Sequence, residues 1–192
     1  VCRVCQLVKL FKNGQPYKMS KRAGDFISVR EFLNEVDKDS VRFMMLNRSN
    51  DVELDFDFDK VLEKTRENPV FYVQYSYARI SSLFRTLNIH ANNIPEFDEE
   101  DIKLNSHELT LFRKILDWPK VIETASIKFE PHRIPFYLYD LATLFHSYWS
   151  KGNENPKYKF IENNKIKRME ILVIFNLVTI VIQNGMKILG VS

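Results

Sequence analysis

The chain has five glycines, two cysteines and four histidines in 192 residues, and each scarcity removes a class of function. Five scattered glycines leave no dinucleotide or P-loop fingerprint, which needs small residues clustered where backbone N–H groups meet phosphate. The two cysteines stand in Cys2-Arg3-Val4-Cys5 with no histidine nearby, so they cannot complete a four-ligand zinc site. A redox CxxC normally opens a helix after a strand, and here the pair reads instead as reduced thiols of a cytoplasmic protein. His90, His107, His132 and His146 are dispersed, none beside a Ser or Cys with an orienting acid. Nucleophilic or metal catalysis is therefore not expected, and no metal site is predicted. The apolar run from Ile171 to Ile182 is interrupted by Asn176 and Thr179 and is too short to span a bilayer, so it reads as a buried helix. The start, Val1-Cys2, carries no Met, basic n-region or cleavage pattern, which points to a cut through a larger protein.

What is present is apolar and aromatic. Hydrophobic residues make up 45% of the chain, with 15 Phe and 8 Tyr, enough for a real core in one or two compact units. Net charge is only +3, but it is uneven. Residues 1–30 hold seven Lys or Arg against Asp25 alone, and residues 145–168 hold six against Glu154 and Glu162. Between them, residues 91–110 hold six acids against Lys103. Two basic patches fit a polyanion gripped at two places, or ordinary surface variation.

The patterning predicts a mainly α fold. Leu7–Phe11, Asn13-Gly14 and Pro16-Tyr17 read as a hairpin, because Asn-Gly supplies the positive φ angles of a two-residue turn. Ser28 and Glu31 form a capping box for a helix to about Val36, and a second helix is expected from about Asp39 to Asn47, with Val41, Met44 and Met45 on its apolar side. Residues 51–59 alternate acid and apolar; Lys60 and Arg66 stand where a calcium loop needs Gly and Glu. The run is expected to be extended, burying Leu54, Phe56 and Phe58, with Asp59 capping the next helix. From Asn68-Pro69 to about Leu87, the residues Val70, Val73, Tyr77, Ile80, Phe84 and Leu87 share one helical face. An acidic linker (91–105) follows, then helix starts at Ser106, Pro119 and Glu130-Pro131, a polar loop over 150–165, and a last helix from about Asn164 ending at Gly185. The expected division is a mixed segment over 1–65 and an all-helical bundle of about five helices over 66–192.

Two stretches carry chemistry. Lys18-Met19-Ser20-Lys21-Arg22 places three cations and a hydroxyl on a short segment between a hairpin and a helix start. A nucleoside triphosphate reacting at its α-phosphate builds negative charge on pyrophosphate, and such cations neutralise it without a covalent step. Phe145-His146-Ser147-Tyr148-Trp149 places aromatics beside the second basic patch, the usual equipment for holding unpaired bases. Core packing also accounts for these rings, for Phe145 above all, and His146 fits a buried core histidine as well as a nucleotide contact.

The basic loop resembles the KMSKS signature of class I aminoacyl-tRNA synthetases, with Arg22 where the last Ser usually stands. Asn68-Pro69-Val70-Phe71-Tyr72-Val73-Gln74-Tyr75-Ser76-Tyr77-Ala78-Arg79 is similar to the NPVxYVQYAHAR segment of arginyl-tRNA synthetases. Leu54–Asp57, Pro131-His132-Arg133, Tyr137–Ala142, Phe145–Tyr148 and Leu189-Gly190-Val191 resemble the same family in the same order. Ser76 and Tyr77 depart from it, standing where Ala and His are usual.

The resemblance implies ATP-dependent attachment of arginine to its tRNA, with ATP (and Mg2+), arginine and arginine tRNA as partners, no tightly bound cofactor, no membrane and a monomer. It implies Lys18, Ser20 and Lys21 as catalytic, and Lys18, Met19, Ser20, Lys21 and Arg22 as the ATP contact. Residues 66–192 would be the anticodon-binding domain. Tyr148 would be the first choice for stacking on an anticodon base, with Tyr72, Tyr75, Arg79, His146 and Trp149 as further tRNA contacts. Residues 28–64 would brace the bundle and touch the inner corner of the tRNA. With no His-Ile-Gly-His-like motif and no preceding nucleotide domain, the chain alone is expected not to aminoacylate. A non-catalytic RNA-binding module, or a helical protein-interaction domain, are the alternatives.

Overall fold

The computed structural model describes residues 2–17, 27–91, 93–96, 102–162 and 165–192. The loop Lys18–Arg22 lies outside them. Strand β1 (Val8–Lys12) turns through Asn13 and Gly14, both at positive φ (53° and 68°), into the short β2 (Gln15–Pro16), with Lys12 opposite Gln15. The Asn-Gly turn thus forms as expected. The alternating acidic run supplies β3 (Leu54–Asp57), which pairs parallel to β1 and completes a sheet of order β2-β1-β3. Alternation puts Leu54 and Phe56 inside. Helix α1 (Val29–Glu35) carries the capping box of Ser28 and Glu31, and α2 (Lys38–Leu46) is capped by the Asp37 carboxylate. Phe32, Phe56 and Phe58 meet at centroid distances of 4.9 to 5.7 Å and form, with Leu10, Val36, Leu54 and Val61, a small core under the sheet.

The rest is a bundle of α4 (Pro69–Leu87), α5 (Ser106–Leu116), α6 (Trp118–Lys128), α7 (Arg133–Glu154) and α8 (Met169–Leu189), preceded by α3 (Phe58–Leu62). Its core gathers Val73, Ile80, Leu111, Leu138, Leu141, Phe145, Ile171, Phe175 and Val178. Helix α8 is long and apolar enough to cross a membrane, but it packs against α4, α5 and α7 and gives them most of its apolar side chains. Helix α2 links the two cores: Val41 and Met44 face the small one, while Phe43, fully buried, joins the bundle.

Several boundaries and buried faces differ from the sequence expectation. The cap of α3 is Asp57, not Asp59, whose carboxylate instead accepts from the Asn13 N–H at 2.6 Å and ties the helix to the hairpin turn. On α2, Phe43 is buried and Met45 exposed. Helix α7 begins at Arg133, two residues after Pro131. It then continues through Lys151-Gly152-Asn153-Glu154, with Gly152 leaving room for Phe160, whose ring would lie 3.1 Å from an added Cβ. The expected polar loop beyond is a 3-10 turn (Pro156–Tyr158) and a hairpin of β4 (Ile161–Glu162) and β5 (Lys165–Ile166). Helix α8 runs through Gly185 and ends at Gly190, which adopts the left-handed cap (φ 69°). Gly185 serves close approach instead: a Cβ there would come 2.8 Å from Leu138 and 3.1 Å from Trp118.

Candidate nucleic-acid interface

Helices α4 and α7 lie side by side, and the groove between them carries most of the residues singled out above. Tyr75, Arg79 and Thr86 follow at helical spacing along one edge of α4, where Asn68 caps the first turn and Pro69 opens it. Trp149 reaches them from α7. The Arg79 guanidinium lies 4.7 Å from the centroid of the Tyr75 ring and 5.2 Å from that of Trp149, so one cation serves two aromatic faces. Its Nη2 donates to the Tyr75 hydroxyl at 2.9 Å. Tyr75 is 41% exposed and stacks on Phe71 nearly in parallel. Tyr75, Ala78, Arg79, Ser82, Leu83, Thr86, Trp149 and Ile161 line an open cleft of about 410 Å³.

Below this surface sits His146, 7% exposed, with its ring 5.4 Å from Tyr75 at an angle of 23° and 4.5 Å from Tyr72. Nδ1 lies 3.3 Å from Arg79 Nη1 and Nε2 lies 3.1 Å from the Ser76 hydroxyl. Burial, with Arg79 adding to it, lowers the imidazole from 6.5 to about 4, against a weaker opposing contact with the Tyr72 carbonyl. His146 is therefore neutral in the fold. The groove continues to Arg66, whose guanidinium lies 6.0 Å from the Tyr72 ring and donates to the Tyr139 hydroxyl at 3.4 Å.

Tyr148, expected to stack on a base, does not reach this surface. It is 2% exposed, its ring stacks on Phe160 at 5.8 Å, and its hydroxyl donates to Glu108 Oε1 at 2.7 Å. Burial and the Glu108 carboxylate raise its pKa well above the ordinary tyrosine value. One residue along a helix rotates a side chain by about 100°, which separates Trp149 in the groove from Tyr148 in the core. Tyr72, Arg79 and Trp149 are alike half-buried, but Tyr72 is packed between Tyr139 and His146, and of the six expected contacts only Tyr75, Arg79 and Trp149 line the cleft. Sequence reasoning passed over Ser82, Thr86 and Ile161. The i, i+4, i+7 series from Tyr75 would have found the first, whereas Ile161 arrives through the hairpin. Tyr77 lies on the other side of α4, its hydroxyl accepting from Gln183.

The surroundings are basic. Lys157, Lys159, Lys165 and Lys167 follow Trp149 on the 3-10 turn and hairpin, with Glu162 pairing Lys167 at 2.8 Å and Lys159 at 3.7 Å. Trp149 and Phe160, in contact at 5.2 Å, join this hairpin to the groove.

Residues 73–192 match the model of the DALR anticodon binding domain. The chain belongs to that family. The groove between α4 and α7 is thus a surface of an anticodon-binding domain. Curated relatives agree along the whole chain: it is 51% identical over 192 residues to an arginine–tRNA ligase of Pelagibacter ubique, covering 100% of this chain and 33% of that one. To the arginine–tRNA ligase of Roseobacter denitrificans it is 45% identical over 194 residues, covering 99% and 33%. The chain therefore spans about a third of the length of the curated relatives it matches. A solved Campylobacter jejuni protein assigned as an arginyl-tRNA synthetase superposes with a TM-score of 0.83 at 29% identity, over 98% of this chain and 39% of that one. The arginyl-tRNA synthetase of Thermus thermophilus shares the fold, with a TM-score of 0.66 at 20% identity over 98% and 34%.

Proposed function

We propose that this chain is the tRNA-binding part of a cytoplasmic arginine–tRNA ligase and that the α4–α7 groove receives an unpaired base of the anticodon loop. The observation that carries this is Arg79 held between Tyr75 and Trp149 above an open cleft. A flat cation flanked by rings offers a nucleobase a stacking face and a phosphate a charge in one place, and stacking contributes about 1–3 kcal/mol per base. The lysines on and beside the β4–β5 hairpin add positive charge near the cleft, which an RNA backbone would meet. In this reading, residues 66–192 are the recognition domain and residues 1–65 belong to the catalytic part.

Lys18, Ser20 and Lys21, with Met19 and Arg22, steady the phosphates of ATP while arginyl-adenylate forms. ATP supplies the activation, and arginine and its tRNA are the other substrates. Among the described residues no group of three or more His, Cys, Asp or Glu side chains gathers, and the Mg2+ that accompanies ATP would be held chiefly by the nucleotide's phosphates and water.

The test is binding of the chain to an arginine tRNA transcript and to the same transcript with a changed anticodon. A preference for the arginine anticodon, lost in Arg79→Ala, supports the reading. Equal binding to both transcripts overturns it. ATP–pyrophosphate exchange by this chain alone should be absent, and turnover would show that the catalytic division is wrong.

A further inference from the structure

Arg79 is a long, rotatable side chain on a helix surface, yet lying over both the Tyr75 and the Trp149 ring restricts it to a narrow range of orientations. Among the described residues its guanidinium makes two hydrogen bonds and no salt bridge. One goes to Tyr75, on the same helix and substantially exposed. The other goes to His146, on the opposing helix and buried beneath the groove. A guanidinium only donates, so His146 Nδ1 must accept, which places the ring proton on Nε2. There it meets the Ser76 hydroxyl, which in turn donates to the Tyr72 carbonyl at 3.1 Å. The Ser76–His146 chain is thus consistent in direction and fixes one tautomer.

A carboxylate in this position would hold Arg79 more strongly but would cancel its charge. A neutral imidazole orients the guanidinium and leaves its full charge for the RNA. We propose that His146 is a positioning residue, which through Nδ1 holds Arg79 over the rings of Tyr75 and Trp149 and thereby sets the preference of the groove for its anticodon base. The consequence for RNA rests on the function proposed above; the positioning itself is measurable without RNA.

The experiment uses the 192-residue chain in a Trp118→Phe background, where Trp149 is the remaining tryptophan. Without RNA, Arg79→Ala should shift Trp149 emission by removing the cation from its face. His146→Leu should reproduce that shift, and His146→Asn, whose carbonyl oxygen can take the place of Nδ1, should not. With an arginine tRNA transcript, His146→Leu should weaken binding about tenfold, the scale of a lost charge-assisted hydrogen bond. In the Arg79→Ala background it should change nothing further. An equal cost of His146→Leu in both backgrounds, or an emission spectrum it leaves unmoved, overturns the proposal and makes His146 a packing residue. Emission shifts as expected with RNA binding unaffected by every variant would keep the positioning role and overturn the anticodon reading instead. Far-UV circular dichroism of each variant confirms that the comparison is between folded chains.

Discussion

At the scale of single residues, the proposed role of the groove depends on a few side chains held by fixed partners at its surface. Tyr75 and Trp149 flank one cation, so removing either ring should weaken RNA binding by about 1–3 kcal/mol, the range for one stacked base. Fluorescence anisotropy with a labelled anticodon-arm hairpin checks this, and Tyr148→Phe, which alters only a buried hydroxyl, should leave RNA affinity unchanged at equal folded fraction. His146 makes a second prediction, about pH. The titratable and charged groups facing its ring are Arg79, Tyr72 and Tyr75 from α4, and no carboxylate among the described residues bonds to it. Its folded pKa, about 4, lies below the ordinary 6.5, so as pH falls the unfolded chain takes up this proton first. The contribution is complete above about pH 6.5 and is lost between 6.5 and 4, amounting to about 3 kcal/mol. Urea unfolding at pH 7 and pH 4.5 should show a smaller drop for His146→Leu than for the parent; an identical drop would place the titration elsewhere.

The same residues show what sequence reading reaches. The cluster around 145–149 was identifiable from composition and spacing, as was the series on α4. Which of Tyr148 and Trp149 faces outward was not, because a helical phase error of one residue exchanges core for surface. The Asn13-Gly14 turn and the Ser28–Glu31 box were legible because they are local, closed within three or four residues.

At the scale of elements, the start of α8 is pinned by a buried network. Glu108, 1% exposed on α5, accepts from Arg168 Nη1 at 2.7 Å and Nη2 at 3.1 Å, from the Tyr148 hydroxyl, and from the Asn105 N–H that it caps. Three helix segments thereby share one carboxylate. Arg168 is partly exposed, so the main loss in Glu108→Ala is the buried Tyr148 hydroxyl left without a partner, and it should cost about 1–3 kcal/mol, Glu108→Gln less. Thermal unfolding ranks the two, and a loss below 1 kcal/mol for the alanine would mean that water replaces the carboxylate. Positions 108 and 168 are too far apart in sequence for any local signal to join them. Gly185 belongs at this scale too, since α7 and α8 approach closely only without a Cβ there. Gly185→Val should lower stability by about 1–3 kcal/mol through overpacking, read as a shifted urea midpoint.

At the scale of the whole molecule, the bundle presents a positive end beside the groove. Binding to arginine tRNA should weaken steeply with salt, log K falling linearly with log salt, and Lys165→Ala should reduce that slope by about one phosphate contact. A slope near zero would argue for a protein partner instead.

The sequence by itself determined the elements closed by local chemistry: the turn, the caps, the amphipathic α4 and the aromatic-basic composition that a polyanion partner requires. It determined the family as well, since the order of motifs follows the chain. Only the tertiary structure decided which aromatic faces solvent, which glycine ends α8, that β3 lies parallel to β1, and that His146 meets Arg79. Those outcomes depend on contacts between residues tens of positions apart, whose geometry is set by core packing rather than by any neighbour in the chain.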